Sequence, residues 1–229
     1  MQARADFLEG WESLENTLSL PHLRRLILFF SLYVIFSILF LAAVHYLFFN
    51  SADYSFYQYS ALTLPLSFAV LSYTRLTGKN IVSGLYLSRK NITAKGISYG
   101  ILLFAIMFAI SILITLLSSI FKIAASTNTG MLLAGAPAWF YIYLVVFEPI
   151  NEELFFRALL VPRVGIVVSA LLFGAAHLGY NSTFQIDAIF ALIFGLLGGY
   201  ILKKTHSLYP LLAAHMLFDL MSIMLYKSA

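Results

Sequence analysis

Seven apolar runs, most of them long enough to cross a bilayer and separated by short polar turns, decide what this chain can become. About 20 residues are needed to span the hydrocarbon core. Runs of that kind fall near 26–49, 56–74, 96–121, 136–160, 164–180, 185–202 and 208–226. The fifth is short, set off from the fourth by Pro162 and Gly165. Composition agrees: 61% of the 229 residues are hydrophobic and 10% are charged, against roughly 25% charged in a soluble domain. No series of alternating ten-residue segments suggests a membrane barrel. The expected fold is all-α: a polytopic transmembrane helical bundle of about seven spans. With no cysteine in the chain, disulfide and thiol chemistry are excluded.

Lys and Arg set the expected orientation. With the N-terminus in the cytoplasm, Arg4, Arg24, Arg25, Arg75, Lys79, Arg89, Lys90, Lys95, Arg163, Lys203 and Lys204 face inside. Only Lys122 and Lys227 face out, and Arg157 lies within a span. The loop at 75–95 carries five of these cations. Contact with anionic headgroups would explain them, but a topology signal is the simpler reading. The net charge of +4 follows from this distribution and does not imply nucleic acid. The expected setting is an integral, multi-pass membrane protein.

Three parts are expected: an amphipathic segment 1–24, transmembrane helices over 25–135, and a core over 136–229. Phe7, Trp11, Leu14 and Leu18 recur at helical spacing between Glu9, Glu12 and Glu15, as in an interfacial helix. Gly195 and Gly199 form a small-residue pair that lets helices approach closely. Packing inside the bundle is the default use of that pair, and dimerisation the weaker one.

The chemistry concentrates in the last third. Glu152, Glu153 and Arg157 occupy one apolar run, His177 the next, and His215 with Asp219 the last. Ionisable groups at bilayer depth are costly and uncommon unless they pair, face a cavity or do chemistry. Glu153 and Arg157, at i and i+4, share a helix face and can pair. Glu152 points about 100° away and is left for another task. A buried glutamate with no cation beside it is a better proton acceptor, as a general base near neutral pH must be. His215 and Asp219 share a face by the same spacing, so the carboxylate could orient the ring. Pro149 is expected to kink the helix ahead of the acidic pair. Glu148, one turn from Glu152, could tune it. His22, His45 and His206 have no partner pattern and read as structural, and Asp187 as a solvated cap.

Glu-Glu-x-x-x-Arg at 152–157, Phe-x-x-x-His at 173–177 and His-x-x-x-Asp at 215–219 stand in this order on successive apolar helices. The set resembles the CPBP family, which includes the CAAX prenyl endopeptidases and the bacterial Abi-type proteins. The resemblance covers roughly 136–226. It extends to Pro-Ile-x-Glu-Glu-Leu-x-Phe-Arg at 149–157, Phe-Gly-x-x-His-Leu at 173–178 and Ser-Leu-Tyr-Pro at 207–210. It implies a glutamate-dependent intramembrane endopeptidase without a cofactor, acting on a peptide or protein that arrives from the membrane or the cytoplasm. Carried over, Glu152 activates water, His177 helps to hold it, and His215 with residue 219 faces the oxyanion. Two departures stand out. Asp219 replaces the Asn of many members, and an ionised carboxylate would repel an oxyanion. Ala158 replaces a common Gly, which affects packing.

Two alternatives stay open. Glu152, His177, His215 and Asp219 could hold zinc tetrahedrally, although His-Glu-x-x-His is absent. The cluster could instead stabilise a non-catalytic immunity or partner-binding protein. Depth leaves one tension. At about 1.5 Å per residue, Glu152 lies roughly 12 Å from a cytoplasmic end near 160, and His177 roughly 20 Å from one near 164.

Overall fold

The computed structural model describes residues 20–51, 53–76, 80–121, 136–178 and 186–228. The expected interfacial helix at 5–19 lies outside them. Among the described residues the chain is helical and contains no strand. Its elements are α1 (Leu20–Phe48), α2 (Tyr54–Leu76), a short α3 (Ile81–Gly84), a 3-10 turn (Arg89–Asn91) and α4 (Ala94–Ile120). A long irregular helix then runs through α5 (Ala138–Ile142), π1 (Tyr143–Phe147), α6 (Glu148–Glu152), π2 (Glu153–Leu160) and α7 (Val161–Ala176). The chain closes with α8 (Ile186–Thr205) and α9 (Tyr209–Ser228).

Among the described residues, four stretches are long and apolar enough to cross a membrane: Ser31–Phe48, Ala94–Leu117, Ala138–Ala176 and Asp187–Thr205. The difference from seven has physical causes. Ala138–Ala176 is one helical run of 39 residues, but Gly165 interrupts it with φ 83° and ψ 168°. A positive φ is open to Gly and costly for residues with a Cβ. The run therefore changes direction there, between the fourth and the fifth expected spans. The α2 helix carries Tyr59, Ser60, Thr63 and Ser67, which dilute its apolarity. The Tyr209–Leu225 stretch is apolar but shorter, and it holds His215 and Asp219.

Helical backbone continues on both sides of Pro149, at Phe147 (φ −77°, ψ −40°) and Ile150 within α6. A proline has no N–H for the preceding turn, and the irregularity appears as the wider π turns around it. Such turns occur often at functional sites.

The α7–α8 pair packs most extensively, α4 lies along α9, and α1 along α2. The α7–α8 contact explains the small residues of α8. A Cβ on Gly195 would come within 2.9 Å of the Ala170 Cα, and one on Gly199 within 2.8 Å of Ile166 Cγ2. Both glycines are spent inside this chain. Gly195→Val is expected to lower stability by roughly 1–3 kcal/mol through overpacking, read as a fall in melting temperature in detergent. An unchanged melting temperature would contradict this packing. The main core gathers Leu103, Met107, Phe155, Leu159, Phe173, Phe194 and Leu211.

Candidate active site

The α6–π2 junction buries two carboxylates and a guanidinium side by side: Glu152 is 6% exposed, Glu153 0% and Arg157 1%. Charges removed from water need partners. Arg157 Nε lies 3.3 Å from Glu153 Oε2, the i,i+4 pair expected from the spacing. The Arg157 guanidinium carbon also sits 4.0 Å from the centroid of the Phe173 ring and 5.3 Å from that of Phe194. Aromatic faces attract cations, more strongly away from water. Two phenylalanines thus hold a cation whose N–H groups make no hydrogen bond among the described residues.

Glu153 does a second thing that its helix position did not reveal. Its other oxygen, Oε1, lies 3.0 Å from His215 Nδ1. A carboxylate accepts, so the ring nitrogen donates. Glu153 therefore links Arg157 to His215 across two helices and fixes the imidazole. This is the orienting contact that the spacing assigned to Asp219. Asp219 Oδ2 stands 3.8 Å from His215 Nε2, beyond hydrogen-bond reach. The same Nε2 faces Glu152 Oε2 at 3.7 Å, and Phe194 packs on the ring with centroids 4.7 Å apart.

His177 closes the C-terminal end of α7. Its Nδ1 lies 2.8 Å from the Phe173 carbonyl oxygen. A carbonyl can only accept, so this contact places a proton on Nδ1. Fixing one nitrogen fixes the role of the other. In the neutral ring, Nε2 then offers its lone pair toward Glu152 Oε1, 4.0 Å away. That gap is too wide for a direct hydrogen bond and fits a water bonded to both atoms.

The bend at Gly165 resolves the depth tension. The descending helix does not end near 160 but continues to 164 before turning. Glu152 stands 13 residues before Gly165 and His177 stands 12 after it, so the two arms bring them to the same level.

The polar row on α2 was missed by sequence reasoning. Tyr59 Oη donates to Glu148 Oε1 at 2.7 Å. Ser67 Oγ bonds Asn151 Oδ1. Tyr143 Oη donates to the Ser60 carbonyl at 3.0 Å and meets the Thr63 hydroxyl. These contacts flank Glu152 on its own helix. The available signal was the spacing of Tyr59, Thr63 and Ser67 at i, i+4 and i+8, one polar stripe on an otherwise apolar helix. Among the described residues no three His, Asp or Glu side chains are disposed to hold a metal ion.

Glu152 thus faces two imidazoles from among the helices of the bundle, His177 on one side and His215 on the other. Residues 134–221, which carry every residue of this site except the α2 row, match the family model of the Type II CAAX prenyl endopeptidase Rce1-like proteins. The match covers that segment alone, which is similar to the Rce1-like proteins of the CPBP family, a family of CAAX-type membrane proteases. No curated protein and no solved structure matches the chain.

Proposed function

We propose that this chain is an intramembrane endopeptidase in which Glu152 activates water. One observation carries the reading: the Glu152 carboxylate has its two oxygens 4.0 Å from His177 Nε2 and 3.7 Å from His215 Nε2. A water between Glu152 and His177 donates one proton to each, leaving an oxygen lone pair for the peptide carbonyl carbon. As the C–O bond forms, Glu152 takes the proton. The Nε2–H of His215 in its charged form donates to the oxyanion, held in line by Glu153. Collapse breaks the C–N bond, and Glu152 returns its proton to the leaving amine. The second water proton leaves the new carboxyl group for His177 Nε2 and passes on to solvent, so the products are a carboxylate and an amine. Asp219, 3.8 Å from His215 Nε2, acts through that ring rather than on the oxyanion.

The substrate is a peptide or protein segment that reaches the site from the membrane or the cytoplasm. Cations support that direction. Arg89, Lys90, Lys95, Arg163, Lys203 and Lys204 gather where α2 and α8 end and α4, α7 and α9 begin, the pattern of a cytoplasmic face. A bacterial plasma membrane is the proposed location.

The test is cleavage of a peptide library by detergent-solubilised protein, with products read by mass spectrometry and Glu152→Gln as the comparison. Undiminished cleavage in that variant would overturn the reading. Chelation separates it from a zinc enzyme. Treatment with a strong chelator is expected to leave cleavage within about twofold, since metal-activated water would require a metal cage. Loss of cleavage that added zinc restores would establish the zinc mechanism instead.

A further inference from the structure

The fold joins two basic segments that lie far apart in the sequence. Arg89 and Lys90 stand on the 3-10 turn, Lys95 at the start of α4, and Lys203 and Lys204 at the end of α8; all five are exposed. A clamp holds these segments together. Asn91 Nδ2 donates to the His206 carbonyl at 2.5 Å. Leu208 N donates to the Tyr86 carbonyl at 3.0 Å, and Tyr209 Oη to that of Leu87 at 2.9 Å. Tyr86 (φ 59°) and His206 (φ 49°) both take left-handed backbone, and their rings stack with centroids 6.5 Å apart. Side chains with a Cβ hold that conformation at a cost, and do so where the surroundings impose it. The clamp is therefore a built feature, and it seats the first turn of α9, the helix that carries His215.

We infer that acidic phospholipid headgroups dock on this platform, bridging Arg89 and Lys90 to Lys203 and Lys204. The depth of the cations favours a lipid over a soluble acidic partner. Lys204 Nζ lies 5.5 Å from the centroid of the Tyr200 ring and Lys95 Nζ 6.0 Å from that of Tyr99. Tyrosines at helix ends mark the membrane interface. Ile97 and Ile101 are 54% and 63% exposed just beyond Lys95, on a surface suited to acyl chains. The lysines thus sit at the level of lipid phosphates, where a basic cluster next to membrane helices attracts anionic headgroups. Proximity alone makes one patch of two segments that, read along the chain, carry only a topology signal.

The experiment uses the full chain in nanodiscs of phosphatidylcholine, with and without phosphatidylglycerol. Bound lipid is read by native mass spectrometry and stability by melting temperature, so the result does not depend on peptide cleavage. The wild type is expected to retain phosphatidylglycerol over phosphatidylcholine and to melt higher in the mixed bilayer. Arg89→Gln, Lys90→Gln, Lys203→Gln and Lys204→Gln together are expected to cut that retention ratio about tenfold and to erase the melting difference. An unchanged ratio, or a wild type indifferent to phosphatidylglycerol, would overturn the inference. So would inorganic phosphate reproducing the whole melting gain in pure phosphatidylcholine, which would mark a free-phosphate site. Should the fourfold variant not fold, Lys203→Gln with Lys204→Gln carries the test: a smaller fall in the ratio supports the inference and no fall overturns it.

Discussion

Glu152→Gln is expected to lower kcat for peptide cleavage by about 10²–10⁴-fold, the range that a positioned general base contributes, while the protein stays folded. Glutamine matches glutamate in shape but cannot take a proton from water. The fold does not hang on the charge at 152. Among the described residues its carboxylate faces His215 Nε2 at 3.7 Å and His177 Nε2 at 4.0 Å, both beyond hydrogen-bond reach. Melting temperature should therefore move little, and a paired measurement of rate and melting separates lost chemistry from lost structure. The variant also separates enzyme from immunity or partner-binding protein. If the biological activity of the chain survives glutamine at 152, water activation is not its task.

Arg157→Ala should act the other way, through stability first. The change leaves the Glu153 carboxylate, 0% exposed, without its cation, and empties the space between Phe173 and Phe194. Breaking a buried pair by deleting one partner costs about 3–5 kcal/mol, enough to threaten a marginally stable protein. Activity should fall with it, because Glu153 also holds His215 Nδ1 at 3.0 Å. The informative comparison is Arg157→Met with Glu153→Leu. Removing both charges avoids the unpaired carboxylate and should recover much of the lost stability. Cleavage should stay impaired, since His215 loses its orienting acceptor. An Arg157→Ala protein that melts with the wild type would show that the pair contributes nothing.

Much of the site is legible in the sequence, for a definable reason. The Glu153–Arg157 contact is local, and an i,i+4 spacing on a helix sets it whatever the rest of the chain does. The apolar runs announce a membrane bundle because water-free surroundings leave few other solutions for the backbone. The ordered motifs at 152–157, 173–177 and 215–219 pointed to the family that residues 134–221 match.

What the sequence determined by itself was therefore the class of fold, the membership of the acidic and imidazole cluster, and the one ion pair that lies within a single turn. Tertiary structure alone decided that Glu153 would hold His215 from 62 positions away, and that Tyr59 would reach Glu148 across 89. It also decided that a turn at Gly165 would level Glu152 with His177. Helix geometry repeats every 3.6 residues and can be counted along a chain. Contacts between helices depend on how side chains of particular volume interlock, and here a backbone break and a few glycines choose among arrangements that the apolar pattern alone permits equally.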